Sequence, residues 1–119
     1  MAKGEITHVE IPADDIERAK RFYTAVAGWE FAPTEGFPDY WLFRTSLGSG
    51  GAIGKRGETT GSVLRDYVTV PDLEEAVRLA EEHGGTVLVP ARDVAGMGRY
   101  AAVTDSEGNE IGLWEVKEG

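Results

Sequence analysis

The stretch that decides the fold is Asp15–Pro33, DIERAKRFYTAVAGWEFAP, because a second version of it, DLEEAVRLAEEHGGTVLVP, occupies Asp72–Pro90. At an offset of 57 positions the two stretches share six identities in 19 positions. Two capped helices that end at glycine look somewhat alike by default, but the proline after the following strand is shared as well. We therefore interpret the chain as two copies of one structural unit.

Each copy of the repeat predicts a helix with its own start and stop signals. In the first copy, Asp14 is the predicted N-cap with Glu17 three residues later, and Gly28 ends the helix. In the second copy, Asp72 begins the helix and Gly84–Gly85 end it. Apolar residues recur at helical spacing in both. They are Ile16, Ala19, Phe22, Tyr23 and Val26 in the first copy, and Leu73, Ala76, Val77 and Ala80 in the second.

Short segments around each helix have the alternation of apolar and polar residues that is typical of strands. The predicted strands are Thr7–Ile11, Trp29–Ala32, Tyr40–Thr45 and a short one within Gly48–Gly54, then Tyr67–Val70, Thr86–Val89, Arg99–Thr104 and Glu110–Val116. The repeated unit is therefore βαβββ. We predict one domain, with module one at about residues 1–54, a polar linker at about 55–62 and module two at about 63–119.

Composition limits the classes of function. The chain has 119 residues, a formal net charge of −9, 41% hydrophobic residues and no cysteine. An acidic surface repels phosphate, so we expect neither a nucleic-acid partner nor an anionic membrane partner. The lack of cysteine excludes disulfides and thiolate metal sites. No long apolar segment follows Met1, and we expect a cytoplasmic protein.

Three motifs resemble those of a known superfamily. Phe22–Phe31, FYTAVAGWEF, resembles the first-helix signature of the vicinal oxygen chelate superfamily, which includes glyoxalase I, extradiol dioxygenases and bleomycin-resistance proteins. Asp105–Asn109, DSEGN, resembles its late Asp-Pro-x-Gly-Asn turn, with Ser106 in place of proline. Gly96–Tyr100 resembles the loop and strand before that turn in the glyoxalase and bleomycin-resistance branch.

The resemblance implies an α+β fold in which two βαβββ modules form a U-shaped eight-stranded mixed sheet. The helices would lie on the convex face and a ligand cavity on the concave face. Such proteins commonly dimerise, so we expect a homodimer. The resemblance covers nearly the whole chain.

The resemblance also implies where metal ligands would lie. In metal-dependent members of the superfamily, each module supplies two ligands, one on its first strand and one on its last strand. Here these positions hold His8 and Arg65 on the first strands and Gly112 on the last strand of module two. The fourth lies within Gly50–Gly54. A divalent metal normally has three or four protein ligands, so we predict no metal cofactor. The alternative is a divalent metal held by His8 and Glu10.

Three polar residues are candidates for the site, each with a structural alternative. His8 is a candidate ligand contact or base, or a packed polar residue. Glu10 is a base with a raised pKa in an apolar cavity, a carboxylate solvated at the rim, or a carboxylate paired with Arg65. Arg65 either binds an anionic group of a ligand or forms a salt bridge with Glu10 or Asp66.

The function predicted from these residues is a small-molecule-binding protein of the glyoxalase and bleomycin-resistance type, without the usual metal centre. Trp41, Tyr67 and Trp114 would contact an apolar or aromatic ligand, with His8 and Arg65 as polar anchors. The net charge favours a cationic ligand. Whether the protein is an enzyme stays open. The alternatives are a metal-dependent lyase, isomerase or dioxygenase, a metal-free enzyme with a base among these residues, and a regulatory domain that acts through its dimer surface.

Overall fold

The computed structural model describes residues 4–116, which form two compact units. One unit comprises residues 7–65, and the other comprises residues 66–116 together with 4–6. The elements are β1 (Ile6–Ala13), α1 (Ile16–Ala27), β2 (Ala32–Thr34), β3 (Phe37–Arg44), β4 (Gly50–Lys55), β5 (Arg65–Thr69), α2 (Leu73–Glu82), β6 (Val87–Val94), β7 (Gly98–Thr104) and β8 (Glu110–Val116). The predicted α+β class, with βαβββ twice, is confirmed.

The strands of the two units pair in the same way. The order is β2-β3-β4-β1 in the first unit and β5-β8-β7-β6 in the second. In each, the first and last strands pair in parallel and the others antiparallel. Glu10 lies opposite Ala52, and Tyr67 lies opposite Gly112. The offset between the units is thus 57 residues for the first strands and 60 for the last.

The helix starts and stops follow local capping chemistry. The N-cap of α1 is Asp15 and not Asp14, because Asp15 is extended and its carboxylate accepts the Arg18 N–H at 3.0 Å. Asp72 caps α2 as predicted. Gly28 ends α1 with φ 73°, a left-handed conformation that glycine adopts without strain.

The two helices differ in how much of their apolar pattern is buried. All four predicted residues of α2 pack against the core of the second unit, and Leu73 is 0% exposed. In α1 only Ile16, Ala19 and Tyr23 reach the core. Phe22 and Val26, which share the helical spacing of these residues, are 57% and 70% exposed. Neither helix in residues 4–116 is long and apolar enough to cross a bilayer.

Two strands continue past the prolines at which the sequence predicted they would stop. β2 runs through Pro33, and β6 runs through Pro90 to Val94. Each lies at the end of its unit's strand order, where a missing N–H costs no ladder hydrogen bond on the outer side. Register shifts accompany both prolines. By contrast, β8 spans Glu110–Val116 as predicted.

Candidate functional site

The side chains of His8 and Glu10 lie on one face of β1 and meet the hydroxyl of Tyr40 from β3. The Tyr40 hydroxyl is 2.8 Å from His8 Nε2 and donates a hydrogen bond to Glu10 Oε2, also at 2.8 Å. Strand alternation separates these residues from Val9 and Ile11, which pack into the core with α1. One phenol therefore links two polar side chains on the face of β1 that points away from the helix.

Small residues on β4 allow this contact, because β4 lies between β3 and β1 in the sheet. Tyr40 is opposite Gly54, and Ala52 is opposite Glu10. A Cβ at Gly54 would lie 3.2 Å from Tyr40 Cδ1 and still closer to Thr60. Glycine at this position therefore leaves room for the tyrosine ring beside β4.

The hydrogen bonds of Tyr40 indicate which ring nitrogen of His8 carries a proton. A phenol carries one proton, and Tyr40 gives it to Glu10, so the His8 Nε2–H donates to the Tyr40 oxygen. Burial lowers the pKa of His8 below its usual value, and the positive charge of Arg44 lowers it further. His8 is thus a neutral imidazole at pH 7, with its proton on Nε2.

Arg65 extends this arrangement to a fourth residue. Its Nη1 lies 3.9 Å from Glu10 Oε1, and the two side chains are only 9% and 13% exposed. The structure thus places Arg65 beside Glu10, which was one of the alternatives from the sequence. We call His8, Tyr40, Glu10 and Arg65 the polar row.

An open cavity of about 390 Å³ lies beside the polar row in the first unit. Its lining residues come from β1, from the hairpin β3–β4 and from the chain before and in β2. They are Thr7, His8, Glu30, Ala32, Leu42, Phe43, Arg44, Gly50 and Gly51. His8 belongs both to this lining and to the polar row.

Trp41, one of the three predicted aromatic contacts, lies away from the polar row, and its contact with a ligand stays a prediction. Neighbouring residues of β3 alternate between the two faces, so Trp41 lies opposite to Tyr40. The ammonium group of Lys20, on α1, lies 3.4 Å from the centre of the Trp41 ring. Trp41 therefore covers the helix side of β3 and holds a cation–π contact there.

The other two predicted aromatic contacts lie in the second unit. Tyr67 and Trp114 share the face of their strands that points away from Leu113, a core residue. The Tyr67 ring lies across Gly112, where a Cβ would be 2.3 Å from the ring, and its centre is 6.3 Å from that of Tyr100. Contact of Tyr67 and Trp114 with a ligand stays a prediction.

The residues at the superfamily's metal positions do not fit a divalent metal. The sheet register places Ala52 in the first unit where Gly112 stands in the second, so neither of these two positions has a donor side chain. Arg65 is a cation, and His8 Nε2 already binds the Tyr40 hydroxyl. One imidazole among these four positions is too small a donor set for the metal.

A separate group of carboxylates in the second unit has a structural role. Ligand atoms of Asp72, Glu74 and Glu115 lie within 4.8 Å of one another. Arg99 binds Glu74 and is 3.6 Å from Glu115, whose other oxygen accepts the Leu73 N–H at 2.8 Å. These contacts tie the start of α2 to β7 and β8.

Tyr40 is the site residue that the sequence analysis did not single out. It was predicted only as the first residue of a strand, although the structure makes it the centre of the polar row. The feature that could have identified Tyr40 is weak. It is a tyrosine on β3, which is separated from β1 and His8 by one strand, and its ladder partner is Gly54. That feature requires the strand order and register, which the sequence does not supply.

Comparisons with known proteins agree with this fold. The family model described as bleomycin resistance protein-like N-terminal matches residues 5–46. A glyoxylase-like domain-containing protein of Didymella fabae is 32% identical over 117 residues, covering 89% of each chain. A Mycobacterium bovis protein with a provisional glyoxylase name is 30% identical over 121 residues, which cover 96% of this chain and 46% of that one. The chain thus spans about half of the mycobacterial relative.

A solved structure shows the same fold at lower sequence identity. Methylmalonyl-CoA epimerase from Mycobacterium tuberculosis matches with a TM-score of 0.68 and 17% identity, covering 99% of this chain and 93% of that one. This likeness concerns the fold alone. The two relatives and the motifs of the chain lead to one assignment: the protein belongs to the glyoxalase-like proteins of the vicinal oxygen chelate superfamily.

Proposed function

We propose that this protein binds a small molecule without a metal centre and holds it beside the polar row. The observation that carries the proposal is the row itself. His8 is bound to Tyr40, Tyr40 to Glu10, and Arg65 lies beside Glu10, so His8 Nε2 and both oxygens of Glu10 already have protein groups beside them. Buried polar groups that are already paired have no need of a cation.

The cavity beside the row supplies the apolar part of the proposed site. Leu42, Phe43 and Ala32 contribute hydrophobic surface, while His8 contributes a polar edge. Small-molecule sites typically combine an apolar lining with a few placed polar groups. We retain the sequence prediction that Tyr67 and Trp114 contact the ligand, and that an apolar or aromatic molecule is held.

The experiment that tests metal independence is a metal titration of the untagged protein. The protein is dialysed against Mn, Fe, Ni and Zn in turn, and bound metal is counted by plasma mass spectrometry. We expect far less than one metal per chain in the wild type, in His8→Ala and in the control His83→Ala, which changes an exposed histidine at the end of α2.

One outcome would contradict this proposal. Near-stoichiometric metal in the wild type and in His83→Ala, lost only in His8→Ala, would mean that the polar row opens to admit an ion. It would favour the metal-dependent lyase, isomerase or dioxygenase with His8 and Glu10 as ligands.

A second candidate function is metal-free proton transfer, favoured by the continuous hydrogen bonds from His8 through Tyr40 to Glu10. A neutral imidazole linked to a carboxylate through a phenol can accept a proton and pass charge along the row. The structural neighbour from Mycobacterium tuberculosis is named as an epimerase, and that name is a second reason to test for a catalytic role.

The test of this candidate is hydrogen exchange in D₂O with 2-oxobutyrate, followed by proton NMR at its C3 position. Catalysis predicts exchange above the buffer rate that falls at least about tenfold in His8→Ala and in Glu10→Gln. Exchange at the buffer rate in the wild type would exclude this activity on the probe, and equal rates in all three proteins would exclude the named roles.

A further inference from the structure

We propose that the cavity of the first unit takes a small carboxylic acid with an apolar body, and that Arg44 binds the carboxylate. This inference rests on the proposed function and names the ligand class for that site. The cavity volume of about 390 Å³ lies within the roughly 300–1,000 Å³ range of small-molecule pockets.

Arg44 lies on the face of β3 that also carries Tyr40 of the polar row. Arg44, Leu42 and Tyr40 alternate along β3 with the residues that face α1, so they share the face from which Tyr40 reaches His8. Arg44, Leu42 and His8 all line the cavity. A ligand between them would have a cation at one end, apolar surface along its length and the imidazole beside it.

The guanidinium of Arg44 has donors to spare. Its Nη1 donates to the Gly48 carbonyl at 3.0 Å, and no carboxylate within residues 4–116 forms an ion pair with it. Arg99 in the second unit is the contrast, since Glu74, Asp93 and Glu115 all surround it. A guanidinium has five N–H donors in a planar fork that matches a carboxylate.

The charges around the cavity differ from those of the whole chain. The net charge of −9 favoured a cationic ligand, but the cavity contains the cation Arg44, a neutral His8 and one carboxylate, Glu30. Glu30 and Arg44 form no ion pair. Removal of Glu30 and removal of Arg44 should therefore change the affinity for an anion in opposite directions.

The test compares 2-naphthoate with the neutral 2-naphthamide, titrated into ¹⁵N-labelled protein and followed through the amides of Leu42, Gly50 and Gly51. We expect 2-naphthoate to bind about tenfold tighter than the amide in the wild type. Arg44→Gln should weaken 2-naphthoate binding about tenfold and leave the amide unchanged. Glu30→Gln should tighten 2-naphthoate binding a few-fold.

Arg21→Gln is the matched control, since it removes the same charge from an exposed position on α1 away from the cavity. It should leave both affinities unchanged. Equal binding of the two probes, equal weakening by Arg44→Gln and Arg21→Gln, or no binding of either probe would each overturn the inference. The proposed function is judged separately by the metal titration, so failure of one is distinguishable from failure of the other.

Discussion

The two modules share one topology but use a tyrosine at the same position in different ways. With the offset of 60 residues that relates the last strands, Tyr40 corresponds to Tyr100, and their ladder partners are Gly54 and Trp114. The Tyr40 hydroxyl binds two polar side chains. Tyr100 instead presents its ring to Tyr67, at 6.3 Å between centres and a tilt of 59°.

The two tyrosines meet different residues on the first strands of their modules. The residue that corresponds to Glu10 is Tyr67, at the 57-residue offset. A carboxylate accepts the proton of a phenol, whereas an aromatic ring offers apolar area and a tilted ring contact. Two copies of one fold thereby present a polar surface in one module and an aromatic one in the other.

The largest effect we expect concerns the anchoring of the two helices. Leu73→Ala should lower the free energy of unfolding by about 3 kcal/mol, because it empties a fully buried site in the core of the second unit. Ile16→Ala, at the start of α1, should cost about half as much, because that residue is only partly buried. Urea denaturation followed by circular dichroism measures both. Equal losses would show that the helices are equally anchored.

A smaller effect is expected from the same substitution at the two equivalent tyrosines. Tyr40→Phe should cost about 1–2 kcal/mol, because it removes the hydroxyl that joins His8 to Glu10. Tyr100→Phe should cost less than about 0.5 kcal/mol, because no residue in the described range 4–116 binds its hydroxyl. The urea midpoints of the two variants test this. Similar values would mean that the polar row contributes nothing to stability.

The smallest expected effect is a pH dependence confined to the first module. Burial, and then the charge of Arg44, lower the pKa of His8 in the folded state below its ordinary 6.5, so below about pH 6.5 the unfolded chain binds the proton more readily. The free energy of unfolding should therefore fall as the pH decreases from 6.5 toward the lowered pKa. Urea midpoints at pH 7.5, 6.5 and 5.5 should fall less in His8→Gln than in the wild type.

The control for this measurement is His83→Gln, which changes an exposed residue of the second module. It should retain the pH dependence of the wild type. A His8→Gln variant with the same pH dependence as the wild type would contradict the lowered pKa.

The repeat made most of the fold predictable. The aspartates and glycines that bound the helices recur at a fixed offset, and Asp72 and Gly28 take the predicted roles. The strand ends at Pro33 and Pro90 were not predictable, because a proline stops a strand or continues it according to whether the strand lies at an edge. Edge position is a property of the sheet and not of the local sequence.

Only part of the candidate site was predictable. Alternation along one strand predicted that His8 and Glu10 share a face. The 57-residue offset of the repeat identified Arg65 as the counterpart of His8 in the second module. Tyr40 and Trp41 are neighbours on β3, and which of them faces His8 depends on the register across β4. The sequence does not contain that register, so the partner of His8 on β3 was not predictable from it.

The close contact between Gly112 and the Tyr67 ring has a consequence for the order in which mutations are tolerated. A side chain at position 112 would begin 2.3 Å from ring atoms of Tyr67. Any side chain at position 112 therefore needs the Tyr67 ring to shift or to be replaced by a smaller group. A substitution at position 112 should be tolerated better after Tyr67 has been shortened than before, so the effects of the two substitutions should not add.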